Sequence, residues 1–259
     1  MTAPDGVPIR VGLEEGGELL SIALDRPKAN ILDTAMIDAI LEVLSARQAS
    51  SPLKAILFES TGPHFSFGAS VEEHRPDQVG KMLPRFHRLF IELSRSGRVI
   101  LAAVPGQCLG GGLELAAFAH RLFVAPGACL GQPEIRLAVF APVASLILPA
   151  RIGQVKADEL LLTGRTVEAR EALSIGLADE LTSDPGAAAR AWFRANLATH
   201  SAAALRHAVL AARHRFHADL EAGLEALERQ YLDELMRTAD AREGIEAFLA
   251  RRTPTWQHQ

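Results

Sequence analysis

Hydrophobic residues recur along this chain at two spacings. Short apolar runs closed by proline, glycine or aspartate read as buried strands. They are Glu18 to Leu24 (E-L-L-S-I-A-L), ended by Asp25-Arg26-Pro27; Lys54 to Glu59 (K-A-I-L-F-E), set between Ser51-Pro52 and Thr61-Gly62-Pro63; and Arg98 to Val104. Between them the apolar positions return at helical spacing. Met36, Ile37, Ile40, Leu41 and Leu44 define a helix from a cap at Asp33 or Thr34 to about Gln48, and a second helix runs from about Val79 to Ser94. Strand, helix and strand in alternation predict right-handed βαβ packing and an α/β fold. From Ala157 onward the chain is alanine-rich and mostly helical. It breaks at Thr163-Gly164-Arg165 and Ser174-Ile175-Gly176-Leu177, and turns at Ser183-Asp184-Pro185-Gly186 before its longest helical run. In that run Leu220, Leu224, Leu227, Tyr231 and Leu235 share a face that must cover the core, a neighbouring subunit, or both. The change of texture divides the chain into residues 1–185, a core domain with the candidate active site, and residues 186–259, a C-terminal helical region.

Composition narrows the field. A chain of 259 residues that is 48% hydrophobic can bury a sizeable core. Its net charge of −4 gives no reason to expect nucleic acid or an anionic membrane as a partner. No apolar run approaches the roughly 20 residues needed to span a bilayer, and Met1 to Pro8 has no apolar signal core, so a cytoplasmic location is expected. Cys108 and Cys129 form no C-x-x-C pair and read as reduced thiols. His207, His214 and His217 fall on a helical run with no carboxylate or cysteine to complete a ligand set, so no metal is expected.

The candidate chemistry lies between Pro105 and Glu134. Gly110, Gly111 and Gly112 precede an amphipathic helical run, Leu113 to Ala119, and would leave backbone N–H groups uncovered at its N-terminus, where developing negative charge is favoured. Glu114 falls in the first turn, and Glu134 follows in a loop that begins Gly131-Gln132-Pro133. The glycines do not form G-x-G-x-x-G or a phosphate-binding loop with its lysine. Taken singly, they could merely permit close packing, Glu114 could be a charge favoured by the helix end, and Glu134 a solvated loop residue.

Five motifs in order change that reading. Leu24 to Ala29 (L-D-R-P-K-A), Phe65 to Ser70 (F-S-F-G-A-S), Gly106 to Ala116 (G-Q-C-L-G-G-G-L-E-L-A), Leu130 to Glu134 (L-G-Q-P-E) and Leu161 to Arg165 (L-L-T-G-R) together resemble the enoyl-CoA hydratase/isomerase, or crotonase, family. The resemblance extends to the closing stretch Glu243 to Arg252. It implies the crotonase (ClpP-like) fold of repeated βαβ turns with a C-terminal helical trimerisation region, a homotrimer or homohexamer, and a substrate carried as a coenzyme A thioester, with no separate cofactor. It also implies that the N–H groups of Ala69 and Gly111 form an oxyanion hole, with Gly110 beside them, and that Glu114 and Glu134 are the two catalytic carboxylates. A carboxylate must deprotonate water as it attacks a conjugated thioester, and the enolate that results needs an acid. Arg26, Lys28 and Ala29 match the loop near the adenine and phosphate end of coenzyme A, and Arg251 and Arg252 could reach the phosphates.

Departures from the family pattern point to a particular substrate shape. Ser70 stands where common hydratases carry aspartate, and the run Val139 to Ser145 (V-F-A-P-V-A-S) replaces a glycine-rich loop, with Pro142 at a position where glycine is expected. Proline has no N–H, so a backbone contact to the attacking water from that position is lost or replaced. Phe67 and Phe140, with Phe86 or Phe90, would suit a flat carbocyclic acyl group, although Phe86 and Phe90 could equally be core. His64 and His74 flank the first oxyanion-hole segment. The combination resembles the branch of the family that hydrates a cyclic dienoyl-CoA in anaerobic benzoyl-CoA degradation, by 1,4-addition of water to the ring diene. A straight-chain enoyl-CoA hydratase, another crotonase-type enzyme, and a non-catalytic protein binding a coenzyme A thioester or RNA are the alternatives.

Overall fold

A computed structural model describes residues 7–47 and 52–259. The end of the first predicted helix at Gln48 lies outside the described residues. The chain begins with an antiparallel pair, β1 (Ile9–Glu14) and β2 (Leu19–Leu24), and then passes through α1 (Thr34–Arg47), β3 (Ala55–Ser60), α2 (Val79–Arg95) and β4 (Val99–Val104). Asp33 caps α1, its Oδ1 accepting the Met36 N–H at 2.8 Å. Next come β5 (Gln107–Leu109), α3 (Gly111–Ala117), β6 (Arg121–Val124) and β7 (Cys129–Gly131). Helices α4 (Pro142–Ile152) and α5 (Gln154–Thr163), strand β8 (Thr166–Glu168), α6 (Ala169–Ser174) and strand β9 (Glu180–Leu181) follow. Helices α7 (Pro185–Asn196), α8 (Ala202–Ala212), α9 (His214–Arg229) and α10 (Ala239–Leu249) complete the chain.

The larger sheet has the order β1-β2-β3-β4-β6-β9 and is parallel from β2 onward, while the smaller joins β5, β7 and β8. Both faces of the larger sheet are covered at its centre, which is why β2, β3 and β4 are nearly continuous apolar runs. Ile56, Phe58, Ile100 and Ala102 point into the main core with α1, α2 and α3. Alternate residues Leu57, Leu101 and Ala103 pack against Ala189 and Phe193 of α7. Arg190 of α7 also bridges Glu14 at 2.8 Å and Glu59 at 2.7 Å, tying that helix to β1 and β3.

The helices after residue 185 share the core of the preceding residues. Leu220, Leu224 and Tyr231 are buried with the main cluster, and α9 packs on α4 and α2. Of the alternatives for this face, packing on the core is the one that Leu220, Leu224 and Tyr231 adopt. Two expectations are corrected. The run after Phe140, read as a loop, is helix α4, with Pro142 at its first turn, where a missing N–H costs nothing. Helix α3 ends at Ala117 and is not amphipathic, since all seven of its residues are buried.

Candidate active site

The two carboxylates meet because two short strands are paired. β5 and β7 run parallel, with Leu109 opposite Gly131, and the Gly110 N–H donates to the Gly131 carbonyl at 2.9 Å. The segments that leave these strands emerge at one end of the sheet, where α3 carries Glu114 and a short 3-10 turn, Glu134–Leu137, carries Glu134. Gly110 turns the chain between β5 and α3 at φ 52°, ψ −129°, a conformation open to glycine. A Cβ there would also approach Glu134 Oε1 to 2.6 Å, so glycine is required twice over.

The segment Ser66 to Ala69 lies alongside. The Leu109 N–H donates to the Ser66 carbonyl at 2.9 Å, and bridges join Ser66 to Cys108 and Leu32 to Ala69. Two buried polar residues pin it: Ser66 Oγ donates to the Asn30 carbonyl at 2.7 Å, and Asn30 Nδ2 donates to the Phe65 carbonyl at 3.0 Å. As a result the backbones of Ala69 and Gly111 adjoin, and a Cβ on Gly111 would lie 3.1 Å from the Ala69 nitrogen. Close approach of two amides is what an oxyanion site requires.

These groups open into one cavity of about 630 Å³. Its wall includes Phe67, Gly68, Ala69, Ser70, Gly110, Gly111, Glu114, Glu134, Phe140 and Pro142, and is otherwise mainly apolar. Of the phenylalanines named from sequence, Phe67, Phe86 and Phe140 line the cavity, whereas Phe90 is core only. His74 reaches the wall with Nδ1 2.7 Å from the Ser70 carbonyl, and burial lowers its pKa, favouring the neutral ring. His64 is turned away, its Nδ1 accepting from the Gln107 N–H at 3.2 Å. Cys108 is wholly buried and its thiol pKa is pushed up, which leaves it inert.

Arg26, Lys28 and Ala29 lie outside this wall. Arg26 is ion-paired with Asp33, Lys28 is exposed, and the Ala29 carbonyl accepts the Phe67 N–H at 2.9 Å, tying the loop to the cavity rim. Arg252 is at the wall but paired with Glu243, and Arg251 is exposed. Residues that sequence reasoning did not assign to the wall include Ile31, Met82, Val139 and Tyr231. Asn30 and Ser66 were likewise missed as the pins of the loop, since nothing in a single asparagine or serine signals tertiary hydrogen bonding.

Burial raises the pKa of Glu114, and the adjacent Glu134 charge raises it further; burial likewise raises that of Glu134. Two carboxyls in one apolar cavity cannot readily both ionise, so the pair holds a proton into the neutral range. Their settings differ. Glu114 Oε1 accepts the Ala144 N–H at 2.7 Å, and the Val143 N–H also favours its ionised form. Glu134 Oε2 is buried with no hydrogen-bond partner among the described residues. The site can therefore present one oriented carboxylate, one carboxyl with a free oxygen, and two amides to a single reactant.

A fold of parallel βαβ turns with this arrangement is that of the crotonases, and the chain belongs to the enoyl-CoA hydratase/isomerase family, whose model matches residues 14–259. It is 50% identical over 252 residues to cyclohexa-1,5-dienecarbonyl-CoA hydratase of Thauera aromatica, an alignment covering 97% of this chain and 98% of that protein. Solved structures share the fold. An enoyl-CoA hydratase from Bacillus halodurans superposes with a TM-score of 0.84 at 21% identity, covering 93% of this chain and 99% of that one. One from Bacillus anthracis gives 0.75 at 27% identity, covering 97% and 100%. Among the described residues no helix is long and apolar enough to cross a membrane, and no group of three or more His, Cys, Asp or Glu side chains could hold a metal ion.

Proposed function

We propose that this protein adds water to cyclohexa-1,5-diene-1-carbonyl-CoA, giving 6-hydroxycyclohex-1-ene-1-carbonyl-CoA in anaerobic benzoyl-CoA degradation. The observation that carries the reading is the convergence of Glu114, Glu134 and the Ala69 and Gly111 backbones on one cavity. The identity to the Thauera hydratase supports the ring substrate. The Ala69 and Gly111 N–H groups hold the thioester oxygen. Glu114, oriented by the Ala144 amide, takes a proton from water as the oxygen bonds to the β carbon, and the electron pair moves onto the thioester oxygen. Glu134 then gives its proton to the far end of the dienolate, across the ring from the new C–O bond. Removing one oxyanion donor costs about 3 kcal/mol in other enzymes, so the two amides supply a large share of the rate.

Phe67 and Phe140, with Ser70, Gly110 and Pro142, shape the acyl end, and Arg26, Lys28 and Ala29 bind the coenzyme A end. Coenzyme A enters as part of the substrate and no other cofactor takes part. The protein works in the cytoplasm as a homotrimer or homohexamer, with residues 1–185 as its catalytic core and residues 186–259 as its helical region. The test is a spectrophotometric and mass-spectrometric assay with the ring diene and crotonyl-CoA side by side. Gain of one water on the ring diene in clear preference is expected. Much faster hydration of crotonyl-CoA would overturn the ring assignment and leave a straight-chain hydratase.

A further inference from the structure

The wall of the cavity holds a polar group that the scheme above leaves without work. Tyr231, the chain's only tyrosine, is 1% exposed, yet its hydroxyl has no hydrogen-bond partner among the described residues. It is carried on a π-helical segment, Gln230–Glu234, directly after α9, a local form frequent at functional sites. The end of α9 is itself fixed: Glu228 Oε2 lies 2.7 Å from His87 Nδ1 on α2. The Tyr231 ring meets Phe140 edge to face, with centroids 5.2 Å apart, and lies 6.4 Å from His74. A buried hydroxyl left unpaired costs about 1–3 kcal/mol, so a partner from the cavity's occupant would be strongly favoured.

The occupant offers two oxygens at its reacting end. The thioester oxygen belongs to the Ala69 and Gly111 amides, which leaves the oxygen of the water. That water directs its two hydrogens to oxygens of the Glu114 and Glu134 carboxyls and one lone pair to carbon; its second lone pair is open to a donor. The start of α4 has none to offer. Pro142 carries no N–H, and the Val143 and Ala144 amides are turned onto Glu114. Tyr231 has the missing donor, and its phenol keeps its proton, because burial and the charges of Glu134 and Glu114 push its pKa up.

We propose that Tyr231 is a further catalytic residue, whose O–H donates a hydrogen bond to the oxygen of the attacking water and, in the product, to the new hydroxyl. This rests on the hydratase reading above. No proton leaves the phenol: the water's proton passes to Glu114, its oxygen bonds to carbon, and Glu134 returns a proton to the ring.

The test compares wild type with Tyr231→Phe, which removes only the hydroxyl. Deleting an unpaired buried oxygen should leave the melting temperature unchanged or slightly raised, so folding is not at stake. With the ring diene, kcat is expected to fall about tenfold or more, in keeping with loss of one hydrogen bond that orients the reacting water. The Kd for cyclohexane-1-carbonyl-CoA, which has the ring but neither double bond nor hydroxyl, should be unchanged. A kcat within twofold of wild type, or a weakening of the saturated ligand by the same factor as kcat, would overturn the proposal. If wild type hydrates crotonyl-CoA alone, the ring assignment fails, while the kcat of Tyr231→Phe on crotonyl-CoA still decides the role of the hydroxyl. Hydration of neither thioester would overturn both.

Discussion

Glu114 and Glu134 are the same residue in one cavity, and the fold treats them differently. Glu114 is held in a helix whose every residue is buried, with a backbone amide 2.7 Å from one of its oxygens. Glu134 sits on a short 3-10 turn with one oxygen that has no hydrogen-bond partner among the described residues. Amide donors favour an ionised carboxylate and fix its direction; an unbonded, desolvated oxygen favours the protonated form. The proposed assignment of Glu114 as base and Glu134 as acid thus rests on these local backbone contacts, since burial raises the pKa of both carboxyls.

Replacing each in turn is the hardest test of that asymmetry. Glu114→Gln should lower kcat about 10³-fold or more, and Glu134→Gln about 10²- to 10³-fold, each with a smaller change in KM, in steady-state assays on the preferred thioester. The double variant should be little worse than Glu114→Gln alone, because in the proposed mechanism the two act on one water. If the two single losses multiplied, independent roles would replace the shared one.

Gly110→Ala attacks one partner and spares the other. The new methyl would sit 2.6 Å from Glu134 Oε1 at a positive φ, whereas Glu114 keeps its Ala144 contact. A loss of about 1–3 kcal/mol in urea unfolding is expected, with a fall in kcat that resembles that of Glu134→Gln. Wild-type stability and rate in this variant would mean that Glu134 is free to move away and that its observed position does not matter.

The ease with which the sequence could be read follows the same division between fixed and variable surroundings. Strands β2, β3 and β4 were legible because both sheet faces are covered, so Leu19–Leu24, Ala55–Ser60 and Val99–Val104 are nearly continuous apolar runs. β1 was not, since only Ile9 of its six residues is buried and it sits at the sheet edge. The three-residue strands β5, β7 and β8 are too short to carry a pattern. Helix α4 escaped because Pro142, Val143, Ala144, Ile147 and Leu148 are all buried, which removes the polar face that marks a helix, and its opening proline resembles a turn. The carboxylates were marked by motif and by spacing. Tyr231 appeared only as one apolar position on a helical face, since an unpartnered hydroxyl is a property of packing that no local pattern encodes.

The pH dependence of stability is the finest measure of the pair. A carboxyl whose pKa rises on folding keeps its proton in the native state at a pH where the unfolded chain has released it, so stability falls as pH rises through that interval. For this pair the interval runs from the ordinary value of 4.5 up to about 8. The slope is limited to about 1.4 kcal/mol per pH unit for each proton concerned, and the loss levels off once both native groups have ionised. Glu134→Gln removes one titration and also the like charge that raises Glu114, so its decline should be shallower and end at lower pH. Urea midpoints for wild type and variant from pH 5.5 to 8.5 give the comparison, in which charges elsewhere cancel. Parallel curves would mean that the two carboxyls do not share a proton, and the base and acid would then have to be distinguished by their contacts alone.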